Sequence, residues 1–273
     1  MVTISEQETD PYPAYARLRR EEPVSWVPEA RQWLVTGWHD VHTVLTDTER
    51  FTTDQPASPM HGVCGGTPML LREGESHQDV REAFRHDYDA HRVNDYVDTI
   101  ARPVAHRVAD EVFPAGCADL AADYFEPVAA IAEATLLGVG PGGADTLRRW
   151  GQALTKVANN FGRDPAVDTE AAAVMADDAA VTAAVQRLRE QPDGSVISHL
   201  LHANRRGEAQ ADADVLPVLK HIALSVIEPA WLDSGGAVVG AGPARRDPRR
   251  PDTARRCGGA VRSACWAGAR HGT

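Results

Sequence analysis

The segment ESHQDVREAF (residues 75–84) places His77 and Arg81 four residues apart. If this segment is helical, the two side chains lie one above the other on the same face of the helix. Two potential cations in that arrangement repel each other unless an anion lies between them. The pair therefore indicates either a binding site for a negatively charged group or a solvated helix face, on which Arg81 pairs with a local carboxylate such as Asp79 or Glu82.

Two pairs of histidines also have a spacing that places both rings on one face of a helix. They are His39 with His42, and His199 with His202. Protein metal sites normally use three or four protein ligands, and no third ligand is apparent beside either pair. Solvated or packed histidines are therefore favoured, and no metal site is predicted.

The overall composition limits the class of protein. The 273 residues are 43% hydrophobic and 25% charged, as is ordinary for a globular chain. The net charge of −11 argues against a nucleic-acid partner, since phosphate binding needs a basic face. No stretch approaches the ~18 apolar residues of a membrane helix. The start, MVTISEQETDPYP, lacks the pattern of a signal peptide, so we expect a protein without a membrane association.

The cysteines favour a reduced, cytoplasmic protein. They are too few for a disulfide scaffold, and their spacing is not that of a zinc site. The four cysteines are Cys64, Cys117, Cys257 and Cys265.

The elements that must position these side chains are mainly helical, with a small β element near the N-terminus. Asp10 followed by Pro11 is typical of a helix start. Residues 24–27 and 32–36 are short, aromatic and β-branched, and predict a hairpin. Residues 52–68 are predicted to be a loop. The apolar spacing predicts helices at 38–45, 75–87, 91–112, 122–137, 144–160, 166–190 and 195–203, followed by an apolar stretch at 215–232.

The last 39 residues, 235–273, differ in character from residues 1–234. They contain eight arginines and two aspartates, a charge of +6, which leaves −17 on the first 234 residues. With eight glycines, eight alanines and no leucine or isoleucine, this tail offers no apolar helical face, and it is predicted to be disordered. It is either a basic interaction arm or, as we favour, the out-of-frame translation of a GC-rich gene.

Several segments, by their order and spacing, resemble the N-terminal half of a bacterial cytochrome P450. DPYPAYARLR (10–19) and the hairpin after it are similar to the opening of that family. VHTVLTDTERF (41–51) resembles its next helix and turn, and residues 74–84 resemble its helix C. LLGV (136–139) is similar to the end of its helix E. The match covers about residues 10–234 and implies an incomplete cytochrome P450 fold that ends around helix I.

This resemblance supplies an anion for His77 and Arg81. In the family, a histidine and an arginine at this spacing point at the propionates of a haem, where charge-assisted hydrogen bonds offset the desolvation of two carboxylates. Glu228, in ALSVIEPAW (223–231), stands where the family's helix I carries a catalytic acid. The resemblance thus implies a haem cofactor and the monooxygenation of a small-molecule substrate, which residues 52–70 and 158–166 would line.

Other features depart from the family pattern. Val226 and Ile227 replace a small residue and a glycine, and Pro229 replaces a hydroxyl, so Glu228 fits a buried, kinked helix equally well. The Glu-x-x-Arg pair expected after helix I is missing. The glycine-rich loop whose cysteine thiolate binds the iron is missing too. We therefore expect that the chain as written is not catalytic alone.

Three functions stay open at this point. The first is a cytochrome P450 monooxygenase of secondary metabolism, represented by its N-terminal portion. The second is a haem-free, P450-like auxiliary protein that activates a deoxysugar glycosyltransferase in antibiotic biosynthesis. The third is a gene fragment whose product has no activity.

The out-of-frame interpretation of the tail predicts what the gene contains beyond codon 234. A second reading frame there is expected to encode the Glu-x-x-Arg pair and the cysteine loop. Translating the DNA in all three frames tests this directly. A frame that restores the fold without a cysteine would instead favour the auxiliary protein.

Overall fold

A computed structural model of the chain describes residues 3–112, 114, 118–202 and 214–225. Within this part the protein is mainly helical with one two-stranded sheet, and the predicted fold class is confirmed. Three sets of predictions lie outside the described residues: those for Glu228 and its neighbours in 226–231, those for the tail 235–273, and those for Cys117, Cys257 and Cys265.

The N-terminal elements form as their sequences predict. The Asp10 carboxylate accepts a hydrogen bond from the backbone N–H of Tyr12 at 3.2 Å, and Pro11 occupies the first turn of the helix that follows. The two strands pair antiparallel from Val24 opposite Val35 to Val27 opposite Gln32. These elements are α1 (Ile4–Thr9), α2 (Pro11–Glu21), β1 (Val24–Val27), β2 (Gln32–Val35) and α3 (Trp38–Thr46).

Helices make up the rest of the described chain. Two π-helical turns, Val97–Ala101 and Leu120–Phe125, precede α7 and α8. The helices are α4 (Pro59–Cys64), α5 (Gly74–Arg85), α6 (Ala90–Tyr96), α7 (Arg102–Val112), α8 (Glu126–Leu137), α9 (Ala144–Ala158), α10 (Pro165–Met175), α11 (Ala179–Glu190), α12 (Val196–His202) and α13 (214–225).

Two predicted elements were wrong in detail. The segment 52–68 is not entirely a loop, because Ser58 caps α4, whose Val63 and Cys64 are buried in the core. The predicted helix 166–190 is two helices separated at 176–178. The carboxylates in this break form ion pairs with other helices, since Asp177 binds Arg149 of α9 at 2.8 Å and Asp178 lies 3.7 Å from Lys220 of α13.

The main core lies where α8, α9, α11, α12 and α13 meet. In α13, residues at the i, i+3, i+4 spacing of one helical face are buried: Val215, Val218, Leu219, Ile222 and Ala223. Lys220 points into the same region, and its ammonium lies 5.5 Å from the ring centre of the buried Trp150. None of the helices within the described ranges has the length and apolar content needed to cross a membrane.

A hydrogen bond to a buried carboxylate joins the end of α5 to α12. The carboxylate of Asp87, which has no exposed surface, lies 2.8 Å from the Nδ1 atom of His199. Asp87 is in a short 3-10 turn (His86–Tyr88) directly after α5, and α12 packs against α5. The pair therefore fixes the position of α5 relative to the core.

A second buried carboxyl group lies on α8. Glu133 is only 4% exposed, and its Oε1 atom has no hydrogen-bond partner among the described residues. Burial penalises the charged form and raises the pKa of Glu133 to about 8. Glu133 is therefore a neutral acid in the folded protein at pH 7.

Replacing Asp87 is expected to destabilise the fold because the hydrogen bond between its buried carboxylate and His199 would be weakened. For Asp87→Asn we expect a loss of about 2–3 kcal/mol in the free energy of unfolding, measured by urea denaturation of the full chain at pH 7. Asp98→Asn is the matched control. Asp98 is exposed and pairs with Arg102 at 3.0 Å, so its loss should cost less than about 0.5 kcal/mol. Equal losses in the two variants would contradict the structural importance of the Asp87 pair.

Glu133 is expected to make stability depend on pH. Its pKa is raised in the folded state, so the stability associated with the neutral carboxyl is fully present below the unfolded value of 4.5 and is lost as the pH rises through about 8. Glu133→Gln cannot ionise and should therefore unfold at a higher urea concentration than the parent at pH 8. The expected gain there is about 2–4 kcal/mol, vanishing near pH 4.5. Glu170→Gln, at an exposed residue of α10 paired with Lys156, should show no such gain. Parallel pH profiles for the parent and Glu133→Gln would exclude this role.

Candidate functional site

The helix α5 carries the candidate cationic pair. Val80 and Ala83 are buried in the main core and fix one face of the helix. His77 is half-buried and Arg81 is exposed, one turn apart along the helix. The predicted juxtaposition of the two side chains on a single helix is therefore present in the structure.

Neither side chain of this pair has a partner in the part of the chain that the structure describes: no hydrogen bond or ion pair joins the imidazole of His77 or the guanidinium of Arg81 to another described residue. The local ion pair considered for Arg81 is not formed with Glu82, which lies 3.5 Å from Arg85 instead. Two side chains that can donate hydrogen bonds thus remain available to an external anion.

The start of α5 is held in place by Arg72, whose side chain is only 11% exposed. Its guanidinium donates to the carbonyl of Thr67 at 3.0 Å, to the hydroxyl of Ser76 at 3.3 Å and to the carbonyl of Asp214 at 3.3 Å. Because Asp214 begins α13, Arg72 links the first turn of α5 to that helix. This arginine therefore positions His77, one residue after Ser76.

Glu73 secures the same turn from the other side. Its carboxylate accepts hydrogen bonds from the backbone N–H of Thr53 at 2.6 Å and from the hydroxyl of Thr52 at 2.8 Å. The backbone N–H of Thr53 is the main reason that the pKa of Glu73 is lowered. Residues 52–53 are thereby attached to the turn that opens α5.

Sequence reasoning did not find Arg72, Glu73 or Asp87 as positioning residues. Arg72 and Glu73 stand among other charged residues immediately before α5, and no local pattern shows that Glu73 also has a partner 20 positions away and Arg72 one 142 positions away. For Asp87, the available signal was the histidine pair His199/His202, which was considered only as a metal site.

The two histidine pairs do not form metal sites with a third ligand in the described residues. His199 binds Asp87, whereas His202 Nε2 lies 3.0 Å from the carbonyl of Leu188, so the two rings have different partners. His39 and His42 are exposed on α3.

Among the described residues, Cys64 is the one cysteine. It is 1% exposed in the core, and burial raises the pKa of its thiol to about 11. The group is therefore a protonated, packed thiol rather than a thiolate suited to binding iron. Among the described residues, His77 and Arg81 thus offer donors to an anion, whereas no cysteine offers a thiolate.

The segments expected to line a substrate site do come together. A cavity of about 140 Å³ lies between the start of α4 and the chain that follows α9. Its lining includes Ser58, Met60, Val157, Phe161 and Arg163. The cavity is smaller than the ~300 Å³ at the lower end of ordinary ligand sites.

No family model matches the chain. Curated proteins similar to it include pulcherriminic acid synthase of Bacillus subtilis, 20% identical over 231 residues, covering 83% of this chain and 56% of that protein. The epothilone C/D epoxidase of Sorangium cellulosum is 26% identical, with coverages of 77% and 53%. The cytochrome P450 monooxygenase PikC of Streptomyces venezuelae is 27% identical, with coverages of 79% and 52%. The chain spans about half the length of these relatives.

Solved structures agree with the curated relatives. P450BioI, in a complex with an acyl carrier protein carrying hexadec-9Z-enoic acid, superposes with a TM-score of 0.73 at 21% identity, covering 86% of this chain and 62% of that chain. Epothilone D-bound cytochrome P450epoK gives 0.70 at 23% identity, with coverages of 84% and 60%. The fold is therefore that of a bacterial-type cytochrome P450, of which this chain carries a part.

Proposed function

We propose that this chain is the part of a cytochrome P450 monooxygenase that binds the haem propionates. The proposal depends on one observation. His77 and Arg81 stand one turn apart on α5 of a cytochrome P450 fold, without a counter-ion among the described residues. Two carboxylates of one ligand would complement two hydrogen-bond donors at this spacing, and would favour the protonated form of the histidine.

Hydrogen bonds from charged donors are the strong ones in proteins, and they offset the desolvation of an anion most effectively when the donors are held in place. Arg72 and Glu73 hold the start of α5, and the pair between Asp87 and His199 holds its end. The helix therefore presents its two donors on a rigid support, as a cofactor site requires.

The remaining parts of the proposed active site are assigned by the same resemblance to the cytochrome P450 family. Bound haem would supply oxygen activation. Glu228 is proposed as the carboxylate that holds a proton near the reacting centre, and the thiolate ligand of the iron is proposed to be absent from this chain. The Val226–Ile227 pair and Pro229 beside Glu228 are the features that weigh most against ordinary oxygen chemistry in this segment.

The proposed substrate is a small molecule of secondary metabolism. The names of the similar proteins include an epothilone epoxidase and an erythromycin C-12 hydroxylase, both of which describe the insertion of oxygen into a natural product. The cavity between α4 and the chain after α9 supports the proposal that residues 52–70 and 158–166 face this substrate.

Haemin titration of the full chain, followed by absorbance, tests the assignment of the pair. Replacing both His77 and Arg81 with alanine is expected to weaken haemin binding at least about tenfold, because two charge-assisted hydrogen bonds are lost. Arg85→Ala is the matched control. Arg85 lies on the same helix but pairs with Glu82, so its removal should leave the affinity unchanged. Equal affinities for the double variant and the parent would refute the propionate assignment.

The same preparations distinguish the rival functions. The chain is expressed with a haem precursor, reduced and exposed to carbon monoxide. A red-shifted, thiolate-type Soret band would exclude both the haem-free auxiliary protein and the inactive fragment. If no haemin binds and the chain instead co-purifies with a deoxysugar glycosyltransferase, the auxiliary function replaces the proposed one. If the chain shows no thiolate-type band, binds no haemin and forms no complex with a glycosyltransferase, the inactive gene fragment is the remaining alternative.

A further inference from the structure

We propose that the turn between α5 and α6 binds a zinc ion through His86, Asp89 and His91. This site is separate from the cationic pair of α5 and does not depend on the proposed function. The three residues lie within six positions of one another, so a single local turn brings all three donors together.

The geometry of this cluster is close to that of a metal site. One ligand atom from each of the three residues lies within 4.8 Å of the other two. The Nδ1 atom of His86 is 3.7 Å from a carboxylate oxygen of Asp89, and the rings of His86 and His91 have centres 5.9 Å apart. Ligand atoms bound to one tetrahedral zinc at ~2.0–2.1 Å lie about 3.3 Å from each other. The ligand atoms would therefore have to approach each other by up to about 1.5 Å, which rotation of the exposed His86 and His91 rings and of the half-buried Asp89 side chain can provide.

The Asp89 carboxylate is free to serve as a ligand. Asp89 occupies the N-cap position of α6, where an aspartate usually accepts a backbone hydrogen bond, but its side chain makes no capping bond. It faces His86 instead. The neighbouring Asp87 is fully buried and bonded to His199, so it is not available for the same ion.

The nearby cations are directed elsewhere. Arg85 pairs with Glu82 at 3.5 Å, and the guanidinium of Arg92 lies over the ring of Tyr96 at 5.6 Å. The net charge of −11 on the whole chain also favours a cation.

The types of ligand atom in this cluster favour zinc over magnesium and calcium. Two imidazole nitrogens and one carboxylate oxygen suit zinc better than magnesium or calcium, which prefer oxygen ligands. Three protein ligands leave the fourth tetrahedral position for water or for a ligand atom from another molecule. The inferred site is therefore an exposed, open zinc site rather than a closed structural one.

Competition between the full chain and a zinc-binding indicator dye tests this proposal. The chain is prepared without a histidine tag, as a fusion to a soluble carrier, with the carrier alone as the blank and zinc chloride as the probe. We expect one zinc ion per chain with a Kd of about 10 µM or tighter. Replacing His86 and His91 together with alanine should weaken binding at least about tenfold. Asp89→Asn should weaken it by a smaller factor.

The matched control removes two other exposed histidines. His39 and His42 lie on α3 with no carboxylate completing a cluster among the described residues, so replacing both with alanine should leave the zinc affinity unchanged. Circular dichroism confirms that each variant keeps its helical content. Zinc affinity that is unchanged in the His86/His91 variant, or lowered equally in both double variants, would overturn the proposal, as would binding only in the millimolar range.

Discussion

The hydrogen bond between Asp87 and His199 is the contact on which the rest of the candidate site depends. A fully buried carboxylate is costly to desolvate, so it is tolerated only beside a partner at hydrogen-bond distance. The partner comes from α12, 112 residues away in the chain, and the pair therefore fixes where α5 ends. Arg72 and Glu73 fix where it begins. Because both ends of α5 are held in place, the positions of His77 and Arg81 relative to the core are fixed.

Charged side chains also lie at other points of the core where helices meet. Lys220 lies over Trp150 and near Asp178, so a cation in α13 contacts an aromatic ring of α9 and a carboxylate in the break between α10 and α11. Glu133 is the exception, because one of its oxygens has no partner within the described residues and the group becomes neutral instead. Burial therefore favours the neutral form of Glu133, whereas Lys220 has both an aromatic ring and a carboxylate beside it.

Local sequence signals were sufficient for the elements whose stability is local. Asp10 with Pro11 predicted the start of α2, and the aromatic and β-branched runs predicted the hairpin, because capping and strand pairing act within a few residues. The break between α10 and α11 was missed since Asp177 and Asp178 leave the helical path to reach Arg149 and Lys220. Ion pairs with residues of distant helices leave no pattern in the local sequence.

The sequence by itself determined the class of fold, the resemblance to the cytochrome P450 family, and the placement of His77 and Arg81 on one helical face. These follow from helical periodicity and from the order of short segments along the chain. Only the tertiary structure decided that this pair lacks a counter-ion among the described residues, that His199 serves Asp87, and that Cys64 is a packed thiol. The physical reason is that charge state and availability depend on burial and on partners from distant segments. Both are set by packing and not by neighbours in sequence.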